Sequence, residues 1–263
     1  MQRIISWNVA SVRARMPVFV DFLRAEQPDF VFLQEIKATE ETFPFMDLQI
    51  EGYRAVISGQ KSYNGVAILA KEYLKNVQDV LVGFEDQARF IQAEGTEGLV
   101  LISVYVPNGN PPEKNPEDKS RLAYKLRWME ALNQHIRELI EAGKKVILGG
   151  DFNVIERDTD VYNPDVFRGG ALLNDSVRGA YGELGKMGLL NPIRAFNPAP
   201  NTYSFWDFQG GAWPQNRGIL LDAFWITPNI RVKGAKIYRE MRGVSGTSDH
   251  APIGILIEKQ LNY

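Results

Sequence analysis

The 263-residue sequence contains no cysteine. Disulfides, cysteine nucleophiles and cysteine-ligated zinc are thereby excluded, and a reducing, cytoplasmic setting is expected. Histidine is nearly as scarce. Only His135 and His250 occur, so any imidazole chemistry must use one of them. No apolar run approaches the ~20 residues that span a bilayer, so no membrane association is expected. The N-terminus enters a strand-like Ile4-Ile5 without signal-peptide architecture. Neither sign of charge dominates: 30 Lys and Arg against 32 Asp and Glu leave a net −2. That balance argues against gripping nucleic acid by overall charge alone. There is no His-Glu-x-x-His, Gly-x-Gly-x-x-Gly or Gly-x-Ser-x-Gly spacing, and no repeat or low-complexity segment.

What is present is the composition of a folded globular chain, 44% hydrophobic and 24% charged. Its organising stretch is Val146-Ile147-Leu148-Gly149-Gly150-Asp151-Phe152-Asn153. Branched apolar residues read as a buried strand, and two glycines allow a turn or a close approach to a ligand. Asp151 and Asn153, two residues apart, point the same way in extended chain. They suit a hard cation or a phosphate. The same residue types also make an ordinary turn.

The rest of the chain repeats this pattern of an apolar strand running into a polar residue. Arg3 to Trp7 meets Asn8, Phe30 to Leu33 meets Gln34-Glu35, and Leu99 to Val106 leads to Asn108. Ile219 to Leu221 meets Asp222, and a loop from Gly243 ends in Asp249-His250. Helices are expected from Met16 to Ala25 and over Leu122 to Ile140, where apolar residues recur every three or four positions, with Gly143 as C-cap. His135 is expected to face solvent on the latter helix. Residues 163–182 show little periodicity and read as loops with short helical pieces, with a helix over Glu183 to Leu190. One α/β domain with two sheets sharing a core is the economical reading.

Four carboxylates, several amides and one imidazole converging at strand ends would repel one another without a cation. Magnesium or manganese fits oxygen ligands and leaves waters for a substrate phosphate. A phosphodiester needs a deprotonated water, stabilised non-bridging oxygens and a protonated or metal-bound leaving oxygen. His250 is placed to orient the water or bind a phosphate oxygen. Asp222, flanked by apolar residues, is costly to bury unless paired, and His250 is its most available partner. Taken singly, Asn8 and Asn108 also read as turn caps, and Ser248-Asp249-His250 as a turn.

These blocks resemble the exonuclease III family of apurinic/apyrimidinic (AP) endonucleases within the endonuclease/exonuclease/phosphatase superfamily. The similarity runs from Ile5 to Ile257. It rests on Trp7-Asn8-Val9, Leu33-Gln34-Glu35-Ile36-Lys37, Asn64-Gly65-Val66, Tyr105-Val106-Pro107-Asn108-Gly109, Gly150-Asp151-Phe152-Asn153-Val154, Asp160-Val161-Tyr162-Asn163-Pro164, Asn216-Arg217-Gly218 and Ser248-Asp249-His250. The resemblance implies a four-layered, DNase I-like α/β sandwich of two mixed sheets with flanking helices. It implies a magnesium- or manganese-dependent DNA phosphodiesterase acting as a monomer on duplexes with abasic sites or blocked 3′ ends. By position, Glu35 would be the main metal ligand, with Asn8, Asp249, Asp151 and Asn153 in the donor set. Asp151 would handle a proton; Tyr105, Asn153 and His250 would contact the scissile phosphate; Asp222 would orient His250. Asn108 would support the site, and Lys37 and Arg217 would contact substrate.

Phe205, Ile219 and Leu221 align with a pocket for a base-free sugar, though core packing explains them equally. Lys37, Arg13, Arg15, Lys125, Arg127 and Arg217 would form a local basic rim. The sequence departs from the family at Ala10-Ser11, usually Asn-Gly, at Leu220, usually arginine, and over 165–181. Other substrates of the superfamily, such as a phosphoinositide, sphingomyelin or another nucleic acid, and a non-catalytic DNA-binding module are the alternatives.

Overall fold

In a computed structural model, which describes residues 1–259, the buried runs of the sequence become two sheets stacked face to face. The first is built from β1 (Gln2–Asn8), β2 (Phe30–Gln34), β3 (Arg54–Ser58), β4 (Val66–Ala70), β10 (Val232–Ile237) and β11 (Ile253–Ile257), in the order β10-β11-β1-β2-β4-β3. The second contains β5 (Lys75–Gln78), β6 (Phe90–Glu94), β7 (Leu99–Tyr105), β8 (Lys145–Asp151) and β9 (Asp222–Ile226), in that order. Each sheet is mixed. β1 and β2 run parallel through the crossover helix α1 (Val12–Glu26), and β2 pairs antiparallel with β4. After the short α2 (Phe45–Ile50), β7 and β8 run parallel through α3 (Ser120–Glu141), and β8 pairs antiparallel with β9.

The inner strands, such as β1, β2, β4, β7 and β8, are apolar on both faces because both faces are covered. Ile4, Phe32 and Ile68 of the first sheet meet Leu101, Ile147 and Phe224 of the second. The alternate residues Ile5, Trp7 and Leu33 pack on Phe19 and Phe22 of α1. Ile102, Val146 and Leu148 pack on Trp128, Leu132 and Ile136 of α3. A one-residue slip would exchange these sets, so burial on both sides fixes the register. The layers run helix, sheet, sheet, helix, as the resemblance implies. Among the described residues no helix is long and apolar enough to cross a membrane.

Local structure differs from expectation in several places. The helix expected from Met16 begins four residues earlier, at Val12. The helix expected over Glu183 to Leu190 starts earlier and ends sooner, as α4 (Asp175–Lys186), which begins within the stretch read as loops. Three glycines in α4 lower its helical propensity. Its signals were Asn174, which accepts from the Ser176 and Val177 amides, and the apolar spacing of Val177, Tyr181 and Leu184. A short α5 (Pro192–Phe196) follows. Gly143 caps α3 as expected, at φ +70°; its amide bonds Ile140 and that of Lys144 bonds Leu139. His135 is not solvent-facing. It is half-buried, with Nε2 2.8 Å from Gln92 Oε1 and its ring edge-on to Phe90. Nor do Gly149 and Gly150 make a turn. Both lie inside β8, where a Cβ on Gly149 would fall 2.5 Å from the Phe224 ring and one on Gly150 2.0 Å from Val104 O.

Candidate active site

The register sets out the site. Tyr105 of β7 is level with Asp151 of β8, and Asp151 with Asp222 of β9, so three polar side chains end three adjacent strands in one row. In the facing sheet β1 ends at Asn8, level with Gln34, and Glu35 follows at once. Asn8 joins the two sheets. Its Nδ2 donates to Glu35 Oε1 and to Asp151 Oδ2, both at 3.0 Å, while its Oδ1 accepts from the Ala10 amide.

His250 arrives from the loop before β11. Ser248 Oγ donates to Asn8 O at 2.6 Å and accepts from the His250 amide, and Trp7 Nε1 donates to His250 O at 2.9 Å. So clipped, the imidazole places Nδ1 2.8 Å from Asp222 Oδ2 and Nε2 3.6 Å from Asp151 Oδ2. Ser204 Oγ donates to the same Asp222 oxygen at 2.6 Å. All three ionisable groups are at most 4% exposed. The expected Asp222–His250 pairing is present.

Burial and neighbouring charge set the titration of Asp151 and His250. It pushes the Asp151 carboxyl up, and the Asp222 charge adds to this, to about 7. Burial alone would depress His250, but Asp222 and Asp151 outweigh it and raise the imidazole to about 10. Burial also opposes the Glu35 charge, yet hydrogen bonds from Asn8 and Lys37 hold that carboxyl below its ordinary range. The half-buried Tyr105 phenol, desolvated beside Glu35 and Asp151, is pushed well above its usual value and stays a neutral donor.

Asp151 and Asn153 are tied by a tight turn instead of lying in extended chain: the Asn153 amide donates to Asp151 Oδ1 at 2.9 Å, with Asn153 at φ +51°. Asn108 Nδ2 lies 3.4 Å from Asn153 Oδ1. These groups line a cleft of about 530 Å³, with Asp249 and His250. Apolar residues line the same cleft, together with Asp207, Gln209 and Arg217. Phe205, Ile219 and Leu221 are there, as the alignment implies, with Phe205 4.8 Å from the imidazole between ring centres. Tyr162, Phe167 and Leu172 complete the wall. The last two come from the stretch that matches the family poorly, and no periodicity marked them. Ile219 and Leu221 also pack in a small cluster with Ile155 and Val161, so these residues both belong to a packed cluster and line the cleft.

Residues 5–250 match the endonuclease/exonuclease/phosphatase family. The chain belongs to that family. It is 31% identical over 263 residues to an exodeoxyribonuclease of Bacillus subtilis, covering 97% of this chain and 99% of that protein. Among solved structures it is similar to the Neisseria 3′ phosphatase NExo bound to a product DNA hairpin, at 30% identity and a TM-score of 0.92. An AP endonuclease from Archaeoglobus fulgidus gives 29% and 0.92. Each comparison covers 98% of this chain and all of the other.

The family as a whole depends on a divalent metal, and this site fits one. Its donors are hard oxygens, with Glu35 and Asp249 on one cleft, and the Lys37 ammonium 2.9 Å from Glu35 Oε2 would have to give up that oxygen to an ion. Glu35 and Asp249 would hold the ion, leaving positions for water and phosphate. Asn8, expected among the ligands, turns its nitrogen to the carboxylates and acts as a hydrogen-bonding bridge. Asn153 likewise spends Nδ2 on Val106 O at 2.9 Å.

The basic rim is also revised. Lys125 is fully buried, donating to the carbonyls of Asn153 at 2.6 Å, Asn108 at 3.1 Å and Ala171 at 3.4 Å; burial lowers its ammonium to about 7. Lys37 is paired with Glu35. Arg217 lines the cleft, held by Gly210 O. Arg13 and Arg127 are exposed, and Arg15 lies 5.8 Å from the Phe208 ring. Arg89 was missed: its guanidinium lies 4.6 Å from the Tyr105 ring and donates to Tyr105 O. With Arg121, Arg127, Tyr63 and Tyr124 it lines a second groove of about 870 Å³ that meets the first at Asn108.

Proposed function

We propose that the protein is a DNA phosphodiesterase of base-excision repair, using magnesium or manganese, that incises 5′ to abasic sites and removes blocks from 3′ ends. The observation that carries this reading is the buried His250 fixed between Asp222 and Asp151, with Phe205 packed against its ring and further apolar residues lining the same cleft. With its pKa near 10, His250 is an imidazolium at neutral pH and donates from Nε2 to a non-bridging phosphate oxygen. Tyr105 stays protonated and adds a second donor. Asp151, titrating near neutrality, takes the proton of the attacking water. When bound, the metal neutralises charge on the phosphate oxygens.

Substrate choice follows from the two halves of the cleft. Phe167, Leu172, Phe205, Ile219 and Leu221 present no hydrogen-bonding group to a base edge and accept a bare deoxyribose. The adjoining groove with Arg89, Arg121 and Arg127 offers contacts to successive phosphates, and its Tyr63 and Tyr124 offer faces for stacking. Local basic residues thereby offset the near-neutral overall charge. Asp151→Asn and His250→Ala test the roles: both are expected to remain folded and to bind duplex while turnover falls by orders of magnitude. A near wild-type rate in either would remove that residue from the mechanism.

A further inference from the structure

Asp222 uses only one of its carboxylate oxygens. Oδ2 takes the bonds from Ser204 and His250, while Oδ1 is buried without a partner. That residue also lines a small cavity of about 10 Å³ outside the catalytic cleft, whose walls include Arg194, Asp160, Glu156, Tyr181 and Leu220. Arg194, on α5, has its own unmet atom: NH2 is paired with Asp160 Oδ1, but Nε is buried and makes no hydrogen bond, with Glu156 Oε2 4.0 Å away. An orphaned acceptor and an orphaned donor on one cavity are each unfavourable, and this volume is that of about one water sphere.

We propose that the cavity binds a single water molecule that donates to Asp222 Oδ1 and accepts from Arg194 Nε, and that Arg194 is thereby a positioning residue for His250. The Glu156 carboxylate, on the same cavity, is available for the second hydrogen, giving the water the two to four partners such sites need. The carboxylate is then held at both ends: Ser204 and the imidazole fix Oδ2, the water fixes Oδ1, and rotation about the side chain is blocked. Arg194 is itself locked, because α5 is capped by Asn191 accepting from the Arg194 amide at 3.1 Å and the guanidinium is paired with the buried Asp160. The orientation of His250 is thus tied to an ion network on a different segment of the chain. Leu220, an aliphatic wall of the same cavity, offers a second position from which a guanidinium would reach it.

The catalytic part of this inference rests on the proposed phosphodiesterase function; the water site does not. A crystal structure that resolves ordered solvent is expected to show one water within hydrogen-bonding distance of both Asp222 Oδ1 and Arg194 Nε. A dry cavity, or a water bonded to neither, overturns the proposal whatever the enzyme cleaves. In activity, Arg194→Leu is expected to lower kcat on an abasic duplex by about tenfold or more with KM for DNA unchanged. Adding Leu220→Arg is expected to recover most of the loss, which a general weakening of α5 would not allow. Unchanged kcat in Arg194→Leu, or no recovery in a folded double variant, refutes the positioning role.

Discussion

Replacing Asp222 by Asn keeps the shape of the side chain and removes only its charge. The Ser204 hydroxyl, which accepts from the Leu221 and Asp222 amides at 3.2 Å each, must still donate to residue 222, so an amide oxygen there continues to serve it. His250 loses more. Burial by itself depresses the imidazole, and Asp222 is the largest of the groups that reverse this and raise it to about 10. Without that charge the imidazole titrates well below 10 and is largely neutral at slightly alkaline pH, where it no longer offers a charged donor to phosphate. Losses of this kind are about 10²–10⁴-fold in rate, or roughly 3–5 kcal/mol of barrier. The assay is single-turnover cleavage of an abasic duplex with magnesium, alongside NMR titration of the ring signals, which are simple to assign with only two histidines present. A variant within about threefold of wild type, a barrier change under ~1 kcal/mol, or an unmoved His250 titration, would refute the reasoning.

Three further outcomes are expected. Burial lowers the His135 pKa below 6.5, so its contribution to stability is complete above the unfolded value and is lost as pH falls through the folded one. His135→Leu should remove that part of the acid sensitivity in urea unfolding, and an identical pH dependence in the two proteins would contradict it. Lys125→Met strips the donor from three carbonyls that carry Asn108, Asn153 and the 165–173 loop. Partly offset by no longer burying an ammonium, it is expected to cost about 1–3 kcal/mol and to lower turnover; an unchanged unfolding midpoint would oppose this. Ser11 sits at φ +100°, where only glycine is at ease, so Ser11→Gly should stabilise by about 1 kcal/mol, and a lower midpoint would show that the conformation is not strained.

The sheets and much of the site were legible because they rest on local signals. Runs such as Val146 to Leu148 are apolar enough to declare buried strands, and a carboxylate at their ends, like Asp151 or Asp222, stands out against them. What sequence did not disclose depends on contacts between distant segments. Lys125 reads as a helix-surface cation; only the folded chain shows it beneath the Asn108 and Asn153 loops, 17 and 28 residues away. His135 appeared solvated until β6 supplied Gln92 and Phe90. Phe167 and Leu172 carry no periodic mark, and α4 was hidden by its glycines. β5, polar and mostly exposed at the sheet edge, lacks the alternation that betrays a half-buried strand.

The most direct measurement uses three labelled substrates: a duplex with one abasic analogue, an intact duplex and a nicked duplex with a 3′-phosphate, each incubated with magnesium or with chelator. The expected result is incision 5′ to the analogue and release of the 3′ block, both lost in chelator and restored by magnesium, with the intact duplex left uncut at internal positions. Equal cleavage in chelator would contradict the metal-dependent mechanism, and failure to cleave any of the three would move the site to a phosphoester that is not DNA.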